Sequence, residues 1–516
     1  METHNEPPTN ILFILCDQLR ADALGAFGNP IIQTPYIDRL SQCGVTFTQC
    51  MVTQPTCTPS RASILSGCYP SALRTRMVGC QTPDDPRLLP RILGENGYLT
   101  ASIGKIHLAP QGEEPALIEA NRQPDGAYDY YGFQEIDLVN GHGDRCFGPQ
   151  YTRERDRLAP DAAQRLKQRR RYPHGTDDTY IFPLPETIHS SNYVGDRTVK
   201  FLREVGEKPF FLHVSFPDPH QPFCVPAPYD QLYQPEEMSP PIPPLANPES
   251  RPPWYWEAHN GQGSPNVDRP ATASSTGLVD RVTGTKPLNY SRYSVADYQQ
   301  MKAIYYGMIT LMDYNIGRIL NTLDEEGLAD NTIVVFVSDH GEYLGDYGLI
   351  GKGMHFDSAI RVPLIFAGPK IVQERRVNDI ASTLDIAPTL LDMVGAREPE
   401  GVQGISMREV LSGSKSNVRQ AALTENDDDF VPMKARTLTT LQWKLSYYAG
   451  HEFGELYNRQ ADPQELTNLW SEAEYTFVKR ELNELLMEEI LCTLDVSNGR
   501  RQEPKPKATK WTPRYL

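Results

Sequence analysis

Asp17 and Gln18 follow the apolar run Ile11 to Cys16, and Asp339 and His340 follow the apolar run Ile333 to Val337. Each run reads as a buried strand, so two strand ends present four polar side chains. A hard divalent cation takes oxygen ligands, which Asp17, Gln18 and Asp339 supply, while His340 adds a nitrogen. Taken singly, either Asp suits a cap or a loop, and the meaning lies in their common placement. Cys57 opens a different kind of site. Pro59 suits the first turn of a helix and Gly67 suits its stop, so residue 57 sits at the positive end of a helix dipole. Anions bind readily at such a position.

Positive groups form a second constellation. Lys105 and His107 lie in Gly104-Lys105-Ile106-His107, after the run Tyr98 to Ile103. His220 lies in Asp218-Pro219-His220-Gln221-Pro222, after Pro209 to Phe216, and Lys352 lies in Gly351-Lys352-Gly353-Met354-His355. A lone lysine is usually a surface residue and a lone histidine a structural one. In an open α/β sheet, however, ligands sit beyond the carboxyl ends of the strands, and four strand ends here deliver polar residues to one edge.

The elements that must position these groups read as an α/β fold. Short apolar runs alternate with helical patterns, the form of a mostly parallel sheet with helices on both faces. Tyr305, Met308, Ile309, Met312, Ile316, Ile319, Leu320 and Leu323 recur at helical spacing as a packing stripe, with Gly327 as the stop. Another strand is expected at Pro363 to Gly368. The run Ser412 to Ser416 reads as a linker, dividing a catalytic unit, residues 1–415, from a smaller C-terminal α+β unit, residues 416–516. There Trp443 to Tyr448 reads as a strand and Phe477 to Leu491 as an amphipathic helix, giving an antiparallel sheet with a covering helix. Residues 110–190 and the proline-dense stretch 217–290 show few periodic elements and suit lids or pocket walls. Lys167 to Arg171 reads as a solvated basic face. The tail with Trp511 and Tyr515 suits a free end or an arm packed on a second subunit of a homo-oligomer.

A net charge of −16 disfavours nucleic acid or an acidic membrane surface as partner, since both need a basic footprint. Nine cysteines without paired short spacings argue against a disulfide framework and against a zinc ribbon. The polar start, Met1 to Asn10, lacks a basic n-region, and no apolar run approaches the ~20 residues of a membrane span. A soluble cytoplasmic protein is the expectation.

The stretch Cys57-Thr58-Pro59-Ser60-Arg61, continuing Ala62-Ser63-Ile64-Leu65-Ser66-Gly67, resembles the one sulfatases carry around a catalytic cysteine that is oxidised to formylglycine. Segments from residue 11 to about 370, with Glu455-Leu456-Tyr457-Asn458 and Asp462-Pro463, are similar to those of sulfatases in the alkaline phosphatase superfamily. The resemblance implies an alkaline phosphatase-like fold and a sulfuric ester hydrolase acting on a small-molecule sulfate monoester, aryl, choline-like or sugar. A thiol is a poor nucleophile for such an ester. The hydrated aldehyde left by a formylglycine-generating maturation enzyme attacks sulfur with one hydroxyl, and collapse through the other expels sulfate from a covalent sulfo-enzyme intermediate.

By the same resemblance, Asp17, Gln18, Cys57, Asp339 and His340 surround one divalent cation. Calcium is the usual ion, and the imidazole admits manganese. Arg61 and Lys105 orient the diol and the sulfate, and His107 takes the proton of the second hydroxyl. His220 and Lys352 bind sulfate oxygens and help protonate the leaving alcohol, while His355 lines the leaving-group pocket or holds its loop. One departure matters. Many sulfatases carry Asp-Asp at positions 17 and 18 and Asp-Asn at 339 and 340, whereas the Asp/Gln/Asp/His set resembles phosphonate monoester hydrolases. The charged pair Lys105 and His107 favours sulfate, because those hydrolases tend to carry uncharged hydroxyl residues there. A phosphonate monoester or phosphodiester hydrolase with the same nucleophile is the alternative, and a catalytically silent binding protein is the alternative from another class.

Overall fold

The computed structural model describes residues 8–244, 255, 290–427 and 434–494. The C-terminal tail with Trp511 and Tyr515 and most of the proline-dense stretch from 245 onward lie outside them.

Eight strands build the main sheet: β1 (Asn10–Cys16), β2 (Gly44–Met51), β3 (Leu99–Gly104), β4 (Glu135–Leu138), β5 (Phe210–Phe216), β6 (Thr332–Ser338), β7 (Arg361–Ala367) and β8 (Arg375–Ser382). Their order across the sheet is β8-β2-β7-β6-β1-β5-β3-β4. The five strands from β6 to β4 run parallel, and β7 is antiparallel to both its neighbours, β6 and β2. The central strand β1 is buried along its whole length. Ile11, Phe13 and Leu15 join the core on one face of the sheet, and Leu12, Ile14 and Cys16 join the core on the other. A strand covered on both faces needs a continuous apolar run, which explains why β1, β5 and β6 were readable.

The apolar stripe expected around residues 305–323 lies in a 31-residue helix, Val295–Glu325, which packs in the second core and starts at a capping box between Ser294 and Asp297. Strands β2, β4 and β8 were not anticipated. β4 has only four residues, and β8 lies at the sheet edge with exposed Arg376 and Asn378 breaking its apolar pattern.

Beyond residue 420 a separate antiparallel sheet forms from β9 (Ala421–Asn426), β10 (Ala435–Thr440), β11 (Trp443–Tyr448) and β12 (Gly454–Asn458). The helix Thr476–Cys492 packs on it through Leu482 and Leu486. This sheet is fastened to the main one by backbone bonding from Glu425 N–H to Thr53 O at 2.7 Å. A buried ion cluster reinforces the junction: Lys444 Nζ lies 2.6 Å from Asp357 Oδ1 and also contacts Glu465. Among the described residues, no helix is long and apolar enough to cross a membrane.

Candidate active site

The parallel strands end on one edge, and four of them deliver chemically distinctive residues just beyond their ends. Asp17 and Gln18 follow β1, Lys105 and His107 follow β3, Asp218 and His220 follow β5, and Asp339 and His340 follow β6. Close approach of the strands is needed at the exit from β3. Gly104 has φ +103°, and a Cβ there would lie 1.9 Å from Ser215 O of the neighbouring strand. Only glycine lets the chain turn there and carry Lys105 inward.

Cys57 is the first residue of the helix Cys57–Ser66, which is buried throughout and ends at Gly67 in the left-handed conformation. Its Sγ lies 3.2 Å from His340 Nε2, 3.4 Å from Lys352 Nζ and 3.9 Å from Asp17 Oδ1. Burial by itself would raise the thiol's pKa. Lys105, then Lys352 and His340, outweigh that and bring it below the ordinary value.

One turn along the same helix, Arg61 is fully sealed from solvent and binds together three strand ends. Its Nε donates to Asp339 Oδ2 at 2.7 Å, and its Nη1 donates to Lys105 O and Ser215 Oγ, each at 2.9 Å. Ser60 Oγ donates to Asp339 O at 2.5 Å. The helix is thereby pinned to β6, which fixes the distance from Cys57 to Asp339 and His340.

Donor atoms of Asp17, Cys57, Asp339 and His340 lie within 4.8 Å of one another, all four residues buried. Two sealed carboxylates converging with an imidazole fit a divalent cation, since buried like charges need a counter-charge between them. Gln18 joins the cluster differently. Its backbone N–H donates to Asp339 Oδ1 at 3.0 Å, its Oε1 accepts from Lys352 Nζ at 2.5 Å, and its Nε2 donates to Glu342. Glu342 is itself fully buried, accepting from Leu344 N–H at 3.0 Å and Gly351 N–H at 2.5 Å, so it sets which way the Gln18 amide faces.

The basic groups converge on the other side. Lys105 Nζ contacts Asp17 Oδ2, and Lys352 Nζ lies 2.7 Å from His220 Nε2. Burial would raise the Asp17 carboxyl, but Lys105 and His220 hold it well below the usual range. His220 Nδ1 is 2.5 Å from Gln221 O, a contact only an Nδ1–H can satisfy, so Nε2 carries the lone pair and accepts from Lys352. Burial, then His142 and Lys352, depress the His220 pKa.

Two residues of the sequence-derived set stand apart from Cys57. His107 is buried behind Lys105, its Nδ1 3.4 Å from Gln111 Nε2 and its backbone N–H 3.2 Å from Glu114 Oε2. His355 turns toward the C-terminal sheet, with Nδ1 2.6 Å from Thr437 Oγ1. That contact holds the loop between Lys352 and β7 against β10. The basic run is largely solvated, with Arg170 and Arg171 exposed and Arg169 paired to Asp144 at 2.7 Å.

Sequence reasoning missed His142 and Glu342. His142 Nε2 is 2.8 Å from Lys105 Nζ and 3.4 Å from Asp17 Oδ2, and its ring stacks on His220 with centroids 3.6 Å apart. The available signal was a histidine between two glycines, Gly141 and Gly143, just after β4. Glu342 sits two residues after His340, but nothing in its spacing shows that it faces an amide 324 residues away.

The model for the sulfatase family matches residues 9–396, three quarters of the chain. The chain belongs to the sulfatase family. A second model, for the C-terminal part of N-sulphoglucosamine sulphohydrolase, matches residues 345–491. An arylsulfatase from Clostridium perfringens is 27% identical over 505 residues, covering 93% of this chain and 94% of the relative. A multifunctional alkaline phosphatase superfamily protein from Trinickia caryophylli is 28% identical over 503 residues, covering 92% and 93%. Among solved structures, the phosphonate monoester hydrolase of Agrobacterium radiobacter superposes with a TM-score of 0.77 at 26% identity, covering 94% of this sulfatase and 96% of the hydrolase. The fold is accordingly alkaline phosphatase-like, and the chain is an enzyme of the sulfuric ester hydrolase class.

Proposed function

We propose that this sulfatase hydrolyses a small sulfate monoester, aryl, choline-like or sugar, with Cys57 converted to formylglycine as its nucleophile. The observation that carries the reading is the position of Cys57 between a cation-fitting cluster, Asp17, Asp339 and His340, and the ammonium group of Lys352. Calcium is the expected ion, with manganese admitted by the His340 nitrogen; when bound, it screens the anion's charge and lowers the pKa of a ligated hydroxyl. The formylglycine hydrate supplies one hydroxyl for attack on sulfur and a second for release.

The chain's own residues do the rest. Arg61 fixes the helix that presents residue 57, and Lys105 sets the charge around Asp17. Lys352 lies between Cys57 and His220, where it can meet both a sulfate oxygen and the ester oxygen. Because His220 offers a lone pair rather than a proton, Lys352 is the proton donor of that pair and His220 holds it in place. His107 takes the proton of the second hydroxyl on the family resemblance alone, since its ring stands apart from Cys57; burial and then Lys105 lower its pKa, which favours the neutral imidazole that role needs. A maturation enzyme is the partner this reading requires, and the other eight cysteines, held as free thiols, support a reducing, cytoplasmic setting.

Similarity to a phosphonate monoester hydrolase, together with the Asp/Gln/Asp/His set, favours a second reading in which phosphonate monoesters or phosphodiesters are the native substrates. The deciding experiment compares initial rates on a paired aryl sulfate and aryl phosphonate monoester for wild type and Cys57→Ala, with the mass of the Cys57 peptide checked for formylglycine. A faster sulfate rate that disappears in the variant is expected. A faster phosphonate rate transfers the assignment, and no rate despite confirmed formylglycine counts against both.

A further inference from the structure

His142 belongs to the stretch where the sequence showed no pattern, and no role is assigned to it by the family-derived set of residues. Its position is nevertheless specific. It closes an arc of four basic side chains in which Lys105 Nζ meets His142 Nε2 at 2.8 Å, the His142 ring stacks on His220 at 3.6 Å and 9°, and His220 Nε2 meets Lys352 Nζ at 2.7 Å. The arc begins at Asp17 and ends 3.4 Å from Cys57 Sγ. Whereas the Asp17 and Lys105 side chains are sealed, that of His142 is 18% exposed, so part of its ring is open to solvent.

Two occupants could suit this arc. Donor atoms of Asp17, His142 and His220 lie within 4.8 Å of one another, a spacing that would serve a second cation. The lysines decide against it. Each imidazole nitrogen that would bind the ion already faces an ammonium group, and Asp17 Oδ2 is also met by Lys105 and, at 3.5 Å, by Arg61. Lys352 points the same way, since its contacts are a neutral amide oxygen, an imidazole nitrogen and Cys57 Sγ. No carboxylate lies within ion-pair distance of its Nζ among the described residues. Asp17, Asp339 and Glu342 act on this buried ammonium group only at longer range, so a bound anion would give it the close counter-charge it lacks.

We propose that His142 is a substrate-contacting residue: with Nε2 accepting from Lys105, its Nδ1–H meets an oxygen of the bound tetrahedral anion and completes the chamber formed by Lys105, His220 and Lys352. This rests on the functional reading above and adds to it a specificity element on the loop after β4. A tetrahedral anion held by the lysines and by His142, with His220 fixing the position of Lys352, is fixed in rotation as well as in position.

The test uses the full-length calcium-loaded protein, with inorganic sulfate as the calorimetric probe and an aryl sulfate as substrate, for wild type, His142→Ala and His142→Asn. His142→Ala is expected to weaken sulfate binding and to lower kcat/KM about tenfold to a hundredfold, the loss of one hydrogen bond to a charged group. Bound metal per chain stays at the wild-type count. His142→Asn, which keeps a side-chain N–H and carries the test if His142→Ala melts early, recovers part of both losses. Wild-type sulfate affinity and kcat/KM in His142→Ala, with wild-type activity intact, overturn the inference alone. Loss of one metal equivalent in either variant overturns it in favour of a second cation. A wild type that carries formylglycine yet neither binds sulfate nor hydrolyses the ester overturns the functional reading, and the inference with it.

Discussion

Replacing Gln18 by Glu changes almost no volume but exchanges the amide N–H₂ that faces Glu342 for an oxygen. In the native protein Gln18 Nε2 donates to Glu342, a carboxylate sealed from solvent and already pushed up by burial. In Gln18→Glu that hydrogen bond is lost and two carboxylates meet. At a separation of ~3 Å and an effective dielectric of ~20, their repulsion is about 5 kcal/mol. The protein can avoid this by keeping one carboxyl protonated, which from a free value near 4.3 costs about 4 kcal/mol at pH ~7.5 and about 1 kcal/mol at pH ~5. Lys352, 2.5 Å from the same side chain, offsets part of the charge, leaving about 2 to 4 kcal/mol at the higher pH. The sign follows from linkage. A carboxyl whose folded pKa is raised above its unfolded value contributes its stability at low pH and loses it as pH rises through the folded value. Thermal unfolding in EDTA, from pH ~5 to ~8, reads this directly. With an unfolding entropy of about 1 kcal/mol/K for a chain of 516 residues, the deficit of the variant widens from about 1 °C to about 4 °C. A deficit that stays constant across that range, or none at all, would refute the claim that Glu342 orients Gln18.

Gly104→Ala is expected to abolish soluble expression or activity, because the added Cβ lies 1.9 Å from Ser215 O at a backbone φ of +103°; wild-type yield and rate would contradict this. Asp313 accepts from Ile37 N–H at 2.8 Å, and burial pushes its carboxyl up to about 7. Its contribution is therefore complete at low pH and lost as pH rises from about 4 to 7, so Asp313→Asn should gain in melting temperature relative to wild type over that window, and a constant difference would count against it. Lys444→Met leaves Asp357 and Glu465 without their shared ammonium group at the junction of the two sheets. Because Arg459 still pairs with Asp357 at 2.9 Å, a loss of about 1 to 3 kcal/mol is expected in denaturant titration, with limited proteolysis reporting earlier release of the C-terminal sheet.

Much of the catalytic edge was legible because it obeys local rules. A strand buried on both faces must be apolar throughout, so β1, β5 and β6 announced themselves and marked where Asp17, His220 and Asp339 would emerge. The Cys57 helix carries its start in Pro59 and its stop in Gly67. Strands such as β4 and β8 were not legible, since edge position or short length lets polar residues interrupt the pattern that a central strand must keep.

By itself, the sequence determined the sheet's central strands, the helix presenting Cys57 and the residue types gathered at one edge, since each depends on side chains close together along the chain. Tertiary structure alone decided their pairing. It turned His355 toward Thr437, brought Glu342 against Gln18, stacked His142 on His220, and joined Lys352 to Cys57 across 295 residues. Hydrogen bonds and charge contacts depend on distance in space, and a loop's residues acquire neighbours only when the strands on either side have been set in register.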